Sequence, residues 1–445
     1  AAAIRGGAPH EAEQALGTAL PYLIPGAKSR GAVLLTEALQ EQARWEDSLC
    51  VLEAHADSLI GDDAAYARVL RVLATVKLDR VSNAERAEAI EELCQTAKHA
   101  PHVDLRIRAI AAATSLSAGE RDEHLAHRLY NVAADIPAES LEPEALVRLQ
   151  GSKAVLAYEM GDLRASRRHL DEALHHAERH AIAGGLALRL RMGLAGHVMV
   201  AGAYDEAVRL FLQIVPLAEQ LGNEDSRALV IANSIVCYGR LGRFTEMMRH
   251  AESLLASPRL PQRYARFGTC YWKGIGHALM GQRREALETL SIADKYLSEN
   301  PSQIVRLWTL MKSDVLFLLG YEEQAKSAAR RVIHYETGQP PIAHYEGLVA
   351  RWTALAACRR SERLIAQQHL AELRARLERY AAIDQVEILG SIIYNQHCLG
   401  LAAPAEGAMM RDRLRHLPPA TADLLAKLLR GPNGPCLPCA SDLVS

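Results

Sequence analysis

The sequence predicts an all-α chain, built as a linear α-solenoid of about nine helical hairpins. Three observations predict it: a helix-favouring composition, a glycine-marked repeat, and helix-ending residues at regular joints. Hydrophobic residues make up 49% of the 445 residues while aromatics are only 5%. The excess is Ala and Leu, which favour helix over sheet. A chain this long outgrows a single compact core, so either several domains or an elongated array is expected.

The repeat reads directly from five stretches. They are "MGDLRASRRHL" from Met160, "AGAYDEAVRLF" from Ala201, "LGRFTEMMRHA" from Leu241, "MGQRREALETL" from Met280 and "LGYEEQAKSAA" from Leu319. Their glycines, Gly161, Gly202, Gly242, Gly281 and Gly320, are spaced by 41, 40, 39 and 39 residues. A fixed period in this range marks stacked helical hairpins. Each glycine follows an apolar helical stripe, where a helix end needs a residue that tolerates a left-handed backbone. A few residues on comes a small side chain, Ser166, Ala207, Ala286 or Ala325, which lets one helix cross its partner closely. Met247 breaks that rule. The acids in the same turns, Asp205, Glu206, Glu246, Glu285, Glu322 and Glu323, suit the positive end of the second helix and need no catalytic explanation.

Weaker copies extend the array. Leu35 to Leu59 turns at "ARWED", Tyr66 to Cys94 at "RVSNAE", Leu105 to Ala133 at Gly119, and Leu348 to Leu373 at "RRSER". Val386 to Gly400 supplies another first helix. The joints between hairpins, "GNED" at Gly222, "SPRLPQ" at Ser257, "NPSQ" at Asn300 and "TGQPP" at Thr337, carry the Pro, Asn and Gly that end helices. Residues 1–29 are expected to form a leading, capping helix closed by Pro21, Pro25 and Gly26. Residues 30–400 form the repeat region, and 401–445 a capping helix with a loose tail.

The second-helix pattern of Gly202, Tyr204, Glu206 and Ala207 resembles the tetratricopeptide repeat. Gly320, Tyr321, Glu323 and Ala325 match in part, as do Gly281, Glu285, Ala286 and Ala293. The period departs from that family's 34 residues, and the first-helix Trp and Gly are mostly absent. The longer period looks like the repeat domains of large ATP-binding transcription activators of the maltose-regulator type and of related bacterial signalling ATPases. The resemblance implies a right-handed superhelix whose first helices line a concave face.

Composition excludes some functions. Lys plus Arg number 51 against 53 Asp plus Glu, a formal charge of −2, so no global attraction to nucleic acid or anionic lipid is expected. No apolar run approaches the roughly 20 residues needed to cross a bilayer, and no secretory signal opens the chain. A soluble, cytoplasmic protein is expected. Its first residue is not Met, which fits a trimmed chain or a piece of a longer polypeptide. Six of its eight cysteines lie within helical patterns, which argues against a disulfide framework.

Candidate chemistry is sparse. On the helix of "RRHLDEALHHAERH", His169, Glu172, His176 and His180 share one side, and His176 with His180 could share a metal ion. A solvated outer helix explains them equally, and no metal site is assigned. Cys436 and Cys439 form a Cys-x-x-Cys without a second ligand pair. No phosphate-binding loop or nucleophile elbow occurs, so no catalytic residue and no cofactor are assigned.

The later first helices hold Trp272, Trp308 and Trp352. With them come Tyr271, Lys273, Arg306, Lys312, Asp314, His344, Glu346 and Arg351. The resemblance places some of these in a groove for a peptide or helix, although a tryptophan there can instead plug the gap between hairpins. Lys312 and Asp314 are favoured for the groove, because burying them unpaired is expensive. The expected function is a non-catalytic protein- or peptide-binding module, with a small-molecule effector also open. The alternatives are the sensor arm of a signalling ATPase or activator, or an enzyme on a helical scaffold such as a phosphatase or metal hydrolase.

Overall fold

The computed structural model describes residues 2–78, 83–117, 123–257, 263–295, 303–321 and 363–377, the short stretches 323–325, 327–328, 385–386, 388–390 and 392–393, residue 396, and residues 404–416. Among them there are helices and no strands, as an all-α repeat requires. A leading pair, α1 (Ala2–Arg5) and α2 (Pro9–Ala19), precedes the hairpins. These are α3 (Pro25–Glu41) with α4 (Trp45–Ala54), α5 (Gly61–Lys77) with α6 (Asn83–His99), and α7 (Val103–Ser117) with α8 (Glu123–Ala134). There follow α9 (Pro143–Glu159) with α10 (Leu163–Arg179), α11 (Gly184–Val200) with α12 (Tyr204–Gln220), and α13 (Glu224–Arg240) with α14 (Phe244–Leu255). Then come α15 (Arg263–Leu279) with α16 (Arg283–Asp294), α17 (Gln303–Leu318), α18 (Arg363–Arg376) and α19 (Pro404–Arg415).

The repeat glycines end helices by one mechanism. Gly161, Gly202, Gly242, Gly281 and Gly320 have φ of 79°, 81°, 69°, 73° and 83°. In each copy the glycine N–H bonds the carbonyl three residues back, and the next N–H bonds the carbonyl five back. Examples are Gly161 to Tyr158 at 3.0 Å with Asp162 to Ala157 at 2.9 Å. This is the Schellman closure, which satisfies the orphan carbonyls of the last turn. The "ARWED" turn has no glycine and makes the same closure through Ala43, at φ 55°.

The small residues sit where close crossing demands them. Ser166, Ala207, Ala286 and Ala325 are all buried. Met247, the exception, is fully buried too, and its bulk is accommodated from across the contact. A Cβ on Gly276 of α15 would stand 2.8 Å from Met247 Cε.

The leading segment differs from expectation. It is two helices and a 3₁₀ turn at Leu20–Tyr22, and Pro25 opens α3 instead of closing the leader. Proline suits a first helical turn because its missing N–H would have no partner there. Helix α19 lies where the apolar pattern fades in the sequence.

The chain forms two compact units. The first comprises Ala1–His197 with Leu212–Arg227, and the second Val198–Phe211 with Ala228–Ser445. The core of the first holds Leu52, Leu93, Ile107, Ile110, Leu116, Leu129, Leu149 and Leu156 with at most 1% of their surface exposed. Within it α3, α5, α7 and α9 pack successively against one another, while α6 and α8 touch only lightly. First helices crowded together and second helices splayed apart place the first helices on the inner side of this unit's curve. In the second unit, α15 packs against α14, α16 and α17.

Candidate functional site

The inner side of the first unit carries one polar group from each successive first helix. Glu37 of α3 accepts from the Tyr66 hydroxyl of α5 at 2.5 Å and from Arg108 Nη1 of α7 at 2.6 Å. Arg108 also bonds the Tyr66 hydroxyl, and its guanidinium lies 4.2 Å from the centre of the Tyr66 ring. Its Nε reaches Asp104 at 2.7 Å. Arg148 of α9, paired with Glu144 at 2.9 Å, extends the row. Burial, reinforced by the Glu37 charge, pushes the Tyr66 phenol well above its ordinary range, so it stays a neutral donor.

Further along the same side stands Lys77, half-buried at the end of α5, with Nζ 3.5 Å from the Ser115 carbonyl. Burial and the Arg86 charge pull its amine down to about 8, against the opposing pull of Asp225. The row alternates donors, acceptors and an aromatic face. Its members are bonded to one another and mostly buried: Tyr66 is 8% exposed, and the Arg108 and Glu37 side chains are 11% and 17% exposed.

In the second unit, the groove candidates are largely engaged with one another. Trp308 is fully buried, stacked on Phe267 with ring centres 5.3 Å apart, and its indole N–H donates to Asp294 at 3.0 Å. Lys312 pairs with the same Asp294. Asp314 is 9% exposed and accepts from the Tyr271 hydroxyl at 3.0 Å. Asp314 is thus buried with a hydrogen-bond partner, while the Lys312 side chain, 30% exposed, keeps an ion-pair partner. Trp272 is buried against the α13 backbone at Gly239 and acts as a wedge between hairpins. Lys273 is half-buried on α15. Arg306 lies in α17 with its side chain outside the described residues, as are His344, Glu346, Arg351 and Trp352 altogether.

The histidine cluster is dispersed in role. His169 is 8% exposed, with Nδ1 2.9 Å from Gln150 Oε1 and Nε2 2.8 Å from the Tyr130 hydroxyl. Both ring nitrogens are therefore occupied by hydrogen bonds, and burial lowers the imidazole's pKa. Glu172 stands 3.9 Å away, His176 is half-buried and His180 exposed. Among the described residues no three His, Cys, Asp or Glu side chains converge as metal ligands. Cys436 and Cys439 lie outside those residues.

No repeat position singles out Glu37, Tyr66 and Arg108, which belong to the less regular early copies. Their one signal is a polar side chain on each of three consecutive first helices, within the apolar stretches "LLTEALQ", "YARVL" and "RIRAI". Periodicity alone gave no reason to bring together three residues 29 and 42 positions apart.

No family model matches the chain, and no curated protein matches it. Among solved structures it is similar to NprR in complex with its cognate peptide NprX, with a TM-score of 0.53 and 13% identity, over 80% of this chain and 99% of that one. A Rap protein complexed with competence and sporulation factor aligns at a TM-score of 0.47 and 12% identity, over 91% and 99% of the two chains. At such identities the likeness is one of fold. The chain has the all-helical architecture of tetratricopeptide-type repeat proteins.

Proposed function

We propose that this chain is a peptide-binding repeat module with a regulatory role, and that the inner row of the first unit receives the peptide. The observation that carries this is the alignment of Glu37, Tyr66, Arg108 and Arg148 on four consecutive first helices. A row of alternating polarity on rigid helices matches an extended chain better than a small compact ligand. The fold likeness to NprR, a protein solved with a peptide bound, supports the reading. The second face expected from the sequence, through Tyr271, Lys273, Arg306, Trp308, Lys312, Asp314, His344, Glu346, Arg351 and Trp352, remains part of the proposal. Attachment to an ATPase or to a DNA-binding part, as in maltose-regulator-type activators, is a finer form of the same proposal.

The test is selection of displayed random peptides on the full chain, repeated with Tyr66→Phe, with Arg148→Ala, and with Lys273→Glu plus Arg351→Glu. Helix content of each variant is checked by circular dichroism. Enriched peptides should lose at least tenfold in affinity on Tyr66→Phe or Arg148→Ala, as expected for about 1.4 kcal/mol. A loss confined to the Lys273 and Arg351 variant would move the site to the second unit. Failure to enrich any peptide would refute the function.

A further inference from the structure

The first unit meets itself across a long sequence gap. The Trp45 indole N–H donates to Asp225 Oδ2 at 3.1 Å, and Asn223 Nδ2 donates to the Glu41 carbonyl at 2.7 Å. Arg189 pairs with Glu41 at 3.5 Å. The first hairpin thus touches the starts of α11 and α13, residues 180 and 182 positions further along the chain in the two hydrogen bonds.

Glycines stand at the closest approaches. A Cβ on Gly184, at φ 68°, would lie 2.8 Å from the Ile4 carbonyl oxygen, and one on Gly185 would fall on the Glu41 carboxylate. A Cβ on Gly222 would lie 2.6 Å from His10 Nε2. Behind this line Glu13 of α2 holds Arg44 at 2.5 Å and Gln42 at 3.2 Å, so the leading helices move with the first hairpin.

The composition of this seam differs from that of the core. Its hydrogen bonds and ion pair join polar groups on two edges of one array. Glu41 Oε2 and Gln42 Oε1 are buried there without a hydrogen-bond partner. Leaving these two acceptors buried without a hydrogen bond offsets part of what Trp45, Asn223 and Arg189 contribute. Two buried acceptors without partners make this contact weaker than one in which every polar group is paired.

We propose that this seam is a reversible latch: α1–α4 and the Gly184–Arg189 and Gly222–Asp225 segments close together over the inner face of the first unit, and part to open it. Lys77, on the same helix as Tyr66, lies within electrostatic reach of Arg189 and Asp225 and is the probe of the closed state. The latch concerns the chain's own contacts and stands whether or not a peptide binds there.

The experiment uses the full chain without added ligand. Trp45→Phe with Arg189→Met removes one hydrogen bond and one ion pair while retaining bulk. Amide exchange in 2–20 and 184–190, followed by mass spectrometry, should quicken by about tenfold, while α6–α9 keep wild-type protection. Acetylation of Lys77 by an N-hydroxysuccinimide ester should accelerate in parallel. Unchanged exchange and labelling would overturn the latch, and so would a rise spread evenly through α6–α9. Should the variant fail to fold, wild-type protein moved from low to high salt supplies the second measurement. The half-exposed Arg189–Glu41 pair is screened, so the same local quickening is expected, and its absence would overturn the proposal.

Discussion

Replacing Gly239 by Ala pits two effects of known size against each other. In a helix interior, alanine is favoured over glycine by about 0.5–1 kcal/mol. Propensity alone therefore predicts a more stable protein. Yet the new Cβ would stand 2.2 Å from Trp272 Cε3 and 2.6 Å from Cδ2 and Cζ3. These are atoms of a rigid ring with only 3% of its residue's surface exposed, and Arg240 covers it at 5.5 Å. The ring cannot swing away as a flexible side chain would, so either α13 or α15 must shift. Overpacking of this kind costs about 1–3 kcal/mol, and the depth of the overlap argues for the upper half. The net expectation, after the propensity gain is set against it, is destabilisation by about 1–2 kcal/mol. Urea unfolding followed by circular dichroism measures it, with amide exchange in α13 and α15 localising the loss, since an array need not unfold in one step. A Trp272→Leu change should cost less in the Gly239→Ala background than in wild type, giving a coupling energy of about 1 kcal/mol or more. If Gly239→Ala leaves stability unchanged or raised, or if the two changes add, the wedge argument is wrong.

Other expectations follow from the same reasoning. Lys77→Met should stabilise the fold at neutral pH by on the order of 1–2 kcal/mol, the full shift being discounted for the amine's partial exposure. Because the folded amine titrates near 8 and the ordinary value is 10.5, the unfolded chain holds more protons between those pH values. Wild-type stability therefore rises across that window, and the advantage of Lys77→Met should shrink through it. A pH-independent difference in urea midpoint would contradict the assigned burial. Ala43→Gly and Ala181→Gly, each at a positive φ of 55° and 49°, should relieve about 1 kcal/mol of left-handed strain. Glycine's greater freedom in the unfolded chain takes back part of that gain. Thermal midpoints should rise for each, and a fall for both would show that these turns open before the array does.

Much of the backbone was legible in the sequence, for a local reason. Gly161, Gly202, Gly242, Gly281 and Gly320 each meet a demand set within six residues: a positive φ that closes a Schellman turn. Such demands recur with the hairpin, so their period survives even where the rest of the motif has drifted. Ala43 shows the limit, since the same turn forms there without the glycine that would have marked it. The small residues obey a similar rule until Met247, whose room comes from Gly276 on another helix. No pattern confined to one helix could show that exchange.

The partners of the candidate residues depended on the tertiary structure. Charge marks Lys312 and Asp314 in the sequence, and the stacking of α15, α16 and α17 brings Asp294 and Tyr271 to them. Glu37, Tyr66 and Arg108 looked unremarkable singly and form one bonded row because α3, α5 and α7 lie side by side. The sequence by itself determined that the chain is a helical repeat and where its hairpins turn, because those choices are made by backbone torsion and helix ends. Which polar groups meet, and where the first unit touches itself, only the stacking of hairpins decided. Trp45 and Asp225 lie 180 residues apart, and no local pattern could announce their hydrogen bond.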